Sequence, residues 1–344
     1  MVTAGAPAGK MACAQAPGRR GVYGALDLGT NNCRLLIARP VRSGFKVIDS
    51  FSRIVRLGEG VASSGHLLEA AVERTIEALK LCGAKMRRRG VTRKRIVATE
   101  ACRIAANGGA FAERVEKETG LSLEIISRDE EAALTVAGCV PLLDGGARRA
   151  LVFDIGGGST ELIWLAPNGA QAPRILAWTS IPYGVVQTAE RHGGDRLSEA
   201  TFGAIVDEIE AELKPFAEAQ GAVNAHDVQM IGASGTVTTM AGVHLGLKRY
   251  DRTKVDGIDV TFEEINRVRD RLTGMRRHER ARLPTIGPER ADLVVAGAAI
   301  LSAVMRVWPV GRMRVADRGV REGILSGLMA EDRAAPGHKA TRAC

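Results

Sequence analysis

Two stretches of this chain are copies of one another. Asp27-Leu28-Gly29-Thr30-Asn31-Asn32-Cys33-Arg34 and Asp154-Ile155-Gly156-Gly157-Gly158-Ser159-Thr160-Glu161 each follow an apolar β-type run and begin with Asp. Each then carries a loop of small or polar residues and ends, seven positions after the Asp, on a charged residue that opens another strand. Such self-similarity marks an internal repeat, here of a β-hairpin unit. The chain is thereby constrained to two related halves, each headed by the same turn.

The spacing has chemical consequences. In a tight hairpin Asp154 and Glu161 lie opposite each other and point to one face. Two unpaired carboxylates there repel, and a hydrated divalent cation is the natural remedy. Between them Gly156, Gly157, Gly158 and Ser159 can turn backbone N–H groups inward around phosphate oxygens, because glycine permits the required φ and a close approach. In the first copy Arg34 replaces the glutamate, so that loop offers Asp27 toward metal while its backbone and Asn31 meet phosphate. A third element, Ile231-Gly232-Ala233-Ser234-Gly235-Thr236, runs from a strand into a helix whose N-terminus presents N–H groups to an anion.

At 344 residues the chain accommodates two domains with a core each. Residues 1–20 are rich in Ala, Gly and Pro, lack an apolar signal core and read as a disordered leader. Residues 331–344 read as a flexible tail. Residues 21–143 form a first lobe, Asp144-Gly145-Gly146 a linker, and residues 147–330 a second lobe. Strands are expected at 21–38, 44–57, 95–98 and 121–126, a turn at 99–103, and helices at 67–89, 110–119 and from Asp129 onward. The second half repeats the start with strands at 150–154 and 161–164. Helices follow at 198–219, at 261–275 behind a Thr261/Glu264 capping box, at 292–307 and at 320–329. Alternating strands and helices give an α/β class with mixed sheets.

Other classes are disfavoured. No run approaches the ~20 apolar residues of a membrane helix. The six cysteines show no C-x-x-C spacing, which argues for free thiols in a reducing cytoplasm, and no H-E-x-x-H pair suggests a zinc site. Net charge is +9, of which Lys10, Arg19 and Arg20 supply three, leaving a moderately basic core that favours an anionic ligand. Aromatic content of 4% offers little for stacking bases and argues against single-stranded nucleic acid. The basic runs at 87–89, 93–95 and 276–282 read first as helix-end solubilising charge and second as guides for a long polyanion.

Three such loops in this order resemble the phosphate-binding layout of the actin, sugar kinase and heat-shock ATPase superfamily. More closely, these loops together with Ala98-Thr99-Glu100-Ala101-Cys102-Arg103, residues 125–132, Arg290-Ala291-Asp292 and Arg321-Glu322-Gly323 resemble the exopolyphosphatase and guanosine pentaphosphate phosphohydrolase family. The resemblance spans residues 21–330. It implies two actin-like, ribonuclease H-like lobes with mixed β-sheets, an active-site cleft between them, and Mg²⁺, with Mn²⁺ as a substitute, in the removal of terminal phosphates. Thr30-Asn31-Asn32 stands where many members have Ser-Asn-Ser, which changes one hydroxyl contact. The chain resembles the short forms that lack a C-terminal HD-type domain, and a homodimer is implied by the family alone.

Phosphoanhydride hydrolysis needs charge neutralised on the terminal phosphate and a water held in line. In Ser127-Arg128-Asp129-Glu130-Glu131, Ser127 is placed as N-cap and Glu130 as its capping-box partner, which leaves Glu131 free to face the cleft. The family's catalytic glutamate maps onto the same Glu131. The resemblance also places Arg103 on phosphate as a bidentate guanidinium. Asp154, Glu161 and Asp27 are the expected metal ligands. Thr30, Asn31, Asn32, Arg34, Gly156, Gly157, Gly158, Ser159, Gly232, Ser234, Gly235 and Thr236 are expected to line the phosphate track. The leading activity is removal of terminal phosphate from inorganic polyphosphate. Hydrolysis of guanosine pentaphosphate (pppGpp) is the alternative within the same chemistry, and an ATP-dependent actin-like ATPase or kinase is the alternative outside it.

Overall fold

The computed structural model describes residues 21–168, 171–221 and 224–334. The repeat extends from the two loops to two whole sheets. In the first sheet β1 (Tyr23–Leu28), β2 (Asn32–Pro40), β3 (Phe45–Ile54), β4 (Arg93–Ala98) and β5 (Glu124–Ile125) are ordered β3-β2-β1-β4-β5. In the second, β6 (Arg149–Ile155), β7 (Thr160–Asn168), β8 (Gln171–Ile181), β9 (Val228–Ala233), β10 (Asp259–Thr261) and β11 (Arg312–Ala316) are ordered β8-β7-β6-β9-β11-β10. The leading strand of each sheet pairs antiparallel with the next strand and parallel with a later one: β1 with β2 and β4, β6 with β7 and β9. A parallel partner requires a crossover, and helices supply it in both halves.

One face of the first sheet packs on α1 (Glu69–Arg88), α2 (Glu100–Ile104) and α3 (Gly108–Thr119), through Leu26, Leu35, Ile37, Ile76, Leu79 and Phe111. The corresponding core of the second lobe joins Leu151, Phe153 and Trp164 to α6 (Glu199–Ala219), α7 (Gly235–His244), α8 (Phe262–Gly274) and α9 (Val294–Val307). A short helix α5 (Val185–His192) precedes this group.

The other faces are covered by exchange. α4 (Arg128–Cys139), from the first half, lays Ala132, Val136 and Cys139 on Val152, Ile163 and Ile231 of the second sheet. α10 (Val320–Ala334), from the end of the chain, lays Val320, Ile324, Leu325 and Leu328 on Tyr23, Ala25, Leu36 and Val97 of the first. Each fully buried side chain of this kind contributes roughly 1.5–3 kcal/mol. The two helices cross at glycines: a Cβ on Gly138 would lie 2.1 Å from the Gly319 carbonyl oxygen, and one on Gly323 2.0 Å from that of Leu134.

Several sequence expectations need correction. α10 runs to Ala334, so residues 331–334 are helical rather than tail. Tyr23 donates to Asp332 Oδ2 at 2.6 Å, and Arg93 pairs with Glu331 and Asp332. Residues 1–20 and 335–344, the rest of the expected leader and tail, lie outside the described residues. The strand expected at 121–126 narrows to Glu124–Ile125, because Leu121 and Leu123 turn into the core. Residues 100–104 form α2 instead of a turn. β8, α5 and β11 were not anticipated. The Thr261/Glu264 capping box is present, and Cys33, Cys82, Cys102 and Cys139 are free thiols.

Candidate active site

Strand register settles how the two Asp loops present their charges. Asp27 stands opposite Arg34 across β1 and β2, and Asp154 stands opposite Glu161 across β6 and β7. Asp27, Asp154, Glu161 and Glu131 line one cleft between the lobes, with Thr30, Asn31, Asn32, Arg34, Gly156, Gly157, Gly158 and Ser159. The loops abut: a Cβ on Gly157 would fall 2.9 Å from Thr30 Cβ and 3.2 Å from the Asn31 nitrogen.

Both loops turn their carbonyl groups away from this cleft. Asn31 O accepts from the N–H groups of Val55 (2.9 Å) and Arg56 (3.0 Å), and Thr30 O accepts from Gly58 (2.8 Å). In the second loop Gly156 O and Gly157 O accept from Val185 and Val186, at the first turn of α5, each at 2.9 Å. The Gln187 amide, with its nitrogen turned to donate, reaches Gly158 O at 2.9 Å. With the acceptors satisfied behind the loops, the N–H groups remain for the cleft, the arrangement of an anion-binding nest. Gly184 makes this approach possible, since a Cβ there would lie 2.3 Å from the Gly157 carbonyl. The amides of Asn31 and Asn32 each keep a buried oxygen without a hydrogen-bond partner among the described residues, an acceptor that only a donor or a cation could satisfy.

The electrostatics are those of crowded carboxylates. Burial, and then the charge of Glu161, push the Asp154 pKa up to about 7. Burial also raises Asp27, against the pull of Arg34 and Arg321. Glu131 is raised well above the carboxylate range by burial and by Glu161, with Arg103 opposing. Glu161 is raised by burial although the Ser159 and Ser180 hydroxyls donate to its Oε1 at 2.5 and 3.0 Å. Among the described residues no three His, Cys, Asp or Glu side chains gather tightly enough to grip a bare ion. The facing pair Asp154 and Glu161, with Asp27 beside them, instead suits a hard cation that keeps several waters, the habit of Mg²⁺.

Glu131 is held by a chain of charges. Arg103 Nη2 donates to Glu131 Oε2 at 2.9 Å and to Glu100 Oε2 at 2.7 Å, its Nη1 donates to Ile126 O at 2.7 Å, and Arg128 Nη2 donates to Glu100 Oε1 at 2.7 Å. Arg103, expected to lie on phosphate, here orients Glu131, with its guanidinium shared with the buried Glu100 one turn earlier. Hydrogen bonds from Arg128 and Arg103 hold the Glu100 carboxyl below its usual range despite its burial. The expected capping box is half formed. Ser127 Oγ accepts from Glu130 N at 3.2 Å, but the Glu130 carboxylate turns to Arg95 Nη2 at 2.5 Å.

The third loop divides. Gly235 and Thr236 line the cleft, and Ser234, at φ 147°, caps α7 by accepting from Val237 N. Gly232 does not belong to the phosphate track. It is buried in β9, where a Cβ would strike Phe153 and Val237 at 2.7 and 2.9 Å, so it is a packing glycine. A Cβ on Gly235 would lie 3.3 Å from Arg34 Nη2, so the first and third loops meet at Arg34. Arg290 lines the same cleft, and Arg321 lies among Asp27, Arg34 and Glu322. None of the Arg34, Arg290 and Arg321 side chains makes a hydrogen bond or ion pair among the described residues. Burial lowers the pKa of both Arg290 and Arg321, with Arg34 contributing. Three guanidinium groups left without partners form a ready anion site. The sequence motifs flagged Arg290 and Arg321 without a role, and Glu100 and Arg128 were missed.

Comparisons with known proteins place the chain in a family. The model of the Ppx/GppA phosphatase family matches residues 36–332. The chain is similar to a solved Ppx/GppA family member from Aquifex aeolicus, at 28% identity with a TM-score of 0.75, covering 91% of this chain and 98% of that one. It is 32% identical to an exopolyphosphatase-like protein, with a TM-score of 0.80 over 90% of this chain and 97% of that one. An exopolyphosphatase from Cytophaga hutchinsonii is 26% identical, with a TM-score of 0.82 over 90% and 98%. The two mixed sheets with an interlobe cleft are the actin-like fold of these neighbours.

Proposed function

We propose that this chain, which belongs to the Ppx/GppA phosphatase family, is an exopolyphosphatase that hydrolyses the terminal phosphate of inorganic polyphosphate. The observation that carries the reading is a pair of abutting loops whose carbonyl groups are occupied by backbone behind them, leaving N–H groups for the cleft, opposite a half-buried glutamate that an arginine holds in place. The terminal phosphate rests against the amides of Thr30, Asn31, Gly157, Gly158 and Ser159. Asp154 and Glu161, with Asp27, are the residues that would hold Mg²⁺, which when bound neutralises phosphate charge. Glu131 orients a water and takes its proton as the oxygen forms a bond to the terminal phosphorus. The bridging P–O bond breaks, orthophosphate leaves, and the shortened chain keeps the bridging oxygen. The raised pKa of Glu131 makes it a stronger base than an exposed carboxylate, and Arg103 fixes its direction.

Arg34, Arg290 and Arg321 supply charge for the phosphates behind the terminal one. They also line a second groove that shares Arg34, Gly235 and Arg290 with the cleft. A groove carrying these three arginines and continuous with the cleft supports reading polyphosphate ahead of pppGpp. Hydrolysis of pppGpp is the second reading, favoured by Phe51 and Tyr250 on the same groove, whose rings could meet a base. Orthophosphate release measured side by side on long-chain polyphosphate and pppGpp, with Mg²⁺, decides between them. Faster release from polyphosphate is expected, and a strong preference for the nucleotide reverses the order. We also propose a homodimer, which sedimentation of the purified chain would test.

A further inference from the structure

Arg56 follows β3 with φ of 49°, the left-handed region in which a side chain crowds its own backbone. Glycine would hold the same turn with less strain, so the reason for a side chain is sought in what it touches. Its Nη2 crosses from the first lobe to the second and donates to Asp292 Oδ2 at 2.9 Å, Asp292 Oδ1 at 3.2 Å and Glu289 O at 3.1 Å. Those two residues flank Arg290. The backbone of Arg56 meanwhile donates to Asn31 O and is thus part of the support that turns the first loop's carbonyl groups outward. Four residues on, Gly60 N donates to Glu190 Oε1, on the α5 helix that supports the second loop. Asp292 is backed by Gly194, where a Cβ would lie 2.8 Å from Asp292 Cβ, so the carboxylate has little room to turn aside. One short segment therefore grips the first loop, the support of the second, and the strand of chain that carries Arg290.

We propose that Arg56 is a positioning residue: its clasp on Asp292 holds the lobes closed over the cleft and sets Arg290 against the phosphates behind the scissile one. The role of Arg290 rests on the function proposed above; the clasp between lobes does not. The test uses the full chain with Arg56→Gly, Asp292→Asn and the double variant. Arg56→Gly suits the local backbone and is expected to keep or raise the thermal midpoint. Hydrogen exchange without substrate should quicken at residues 29–32 and 287–293 in both single variants. KM for long-chain polyphosphate should rise about three- to fivefold in each, the scale of a partly exposed ion pair, with kcat largely kept. The double variant should be no worse than either single one. Unchanged exchange and KM in Arg56→Gly, or effects that add in the double variant, would overturn the clasp. If the unsubstituted chain hydrolyses no polyphosphate, the proposed function fails while the exchange data still decide the clasp.

Discussion

Replacing Asp154 by Asn should stabilise the metal-free protein above neutral pH while abolishing its proposed activity. Asp154 stands opposite Glu161 in a buried hairpin, and its pKa rises from 3.8 to about 7. The folded state therefore keeps this proton between about pH 4 and 7, where the unfolded chain has released it, and stability falls as pH rises through that window. A shift of roughly three units corresponds to at most about 4 kcal/mol at pH 8, and relaxation around a partly accessible cleft reduces this to about 1–3 kcal/mol. Asn removes the charge at nearly constant shape. Thermal unfolding in EDTA at pH 8 should accordingly show a midpoint roughly 2–8 °C higher for Asp154→Asn. At pH 5, partway through that window, the gain should shrink to roughly a third of its pH 8 value, and it should nearly vanish only below about pH 4. Added Mg²⁺ should close the gap at pH 8 by raising the unsubstituted protein and not the variant. A lower midpoint for the variant at pH 8, or an equal gain at both pH values, would refute the electrostatic reasoning.

Other outcomes follow from the same geometry. Glu131→Gln should lower kcat for polyphosphate by about 10²- to 10⁴-fold with little change in KM, measured as orthophosphate release. Arg290→Ala should raise KM far more than it lowers kcat, because an unpartnered guanidinium is lost and no neighbour is left unpaired. Gly323→Ala, which sets a methyl 2.0 Å from the Leu134 carbonyl oxygen, should cost about 1–3 kcal/mol in denaturant titration by prising apart α4 and α10.

What the sequence revealed and what it hid divide along physical lines. The hairpin loops were legible because a β-turn of fixed length puts its first and last residues opposite each other, so Asp154 and Glu161 could be paired by counting. The capping logic that singles out Glu131 holds by half: Ser127 does cap α4, but Arg95 takes the Glu130 carboxylate. The contribution of α5 could not be read. Its cap is Gly184, without a side-chain hydrogen bond, and its role depends on backbone contact with a loop nearly thirty residues earlier. The convergence of Arg34, Arg290 and Arg321 joins three distant segments, and no local pattern encodes it. Gly232 shows the converse error, since a glycine beside a phosphate loop can equally be one required by a Phe153 ring behind it.

The exchange of α4 and α10 between the sheets bears on how the chain comes to be folded. The face of the first sheet formed by Tyr23, Ala25, Leu36 and Val97 is covered chiefly by residues that follow the whole second sheet in the chain, Val320, Ile324, Leu325 and Leu328. An amino-terminal half released by a cut at the Asp144-Gly145-Gly146 linker would expose that surface and carry α4 with nothing to cover. The first lobe thus has to wait for the second during synthesis, despite preceding it by over a hundred residues. Truncations that look harmless at the level of catalytic motifs would remove a wall of the opposite lobe.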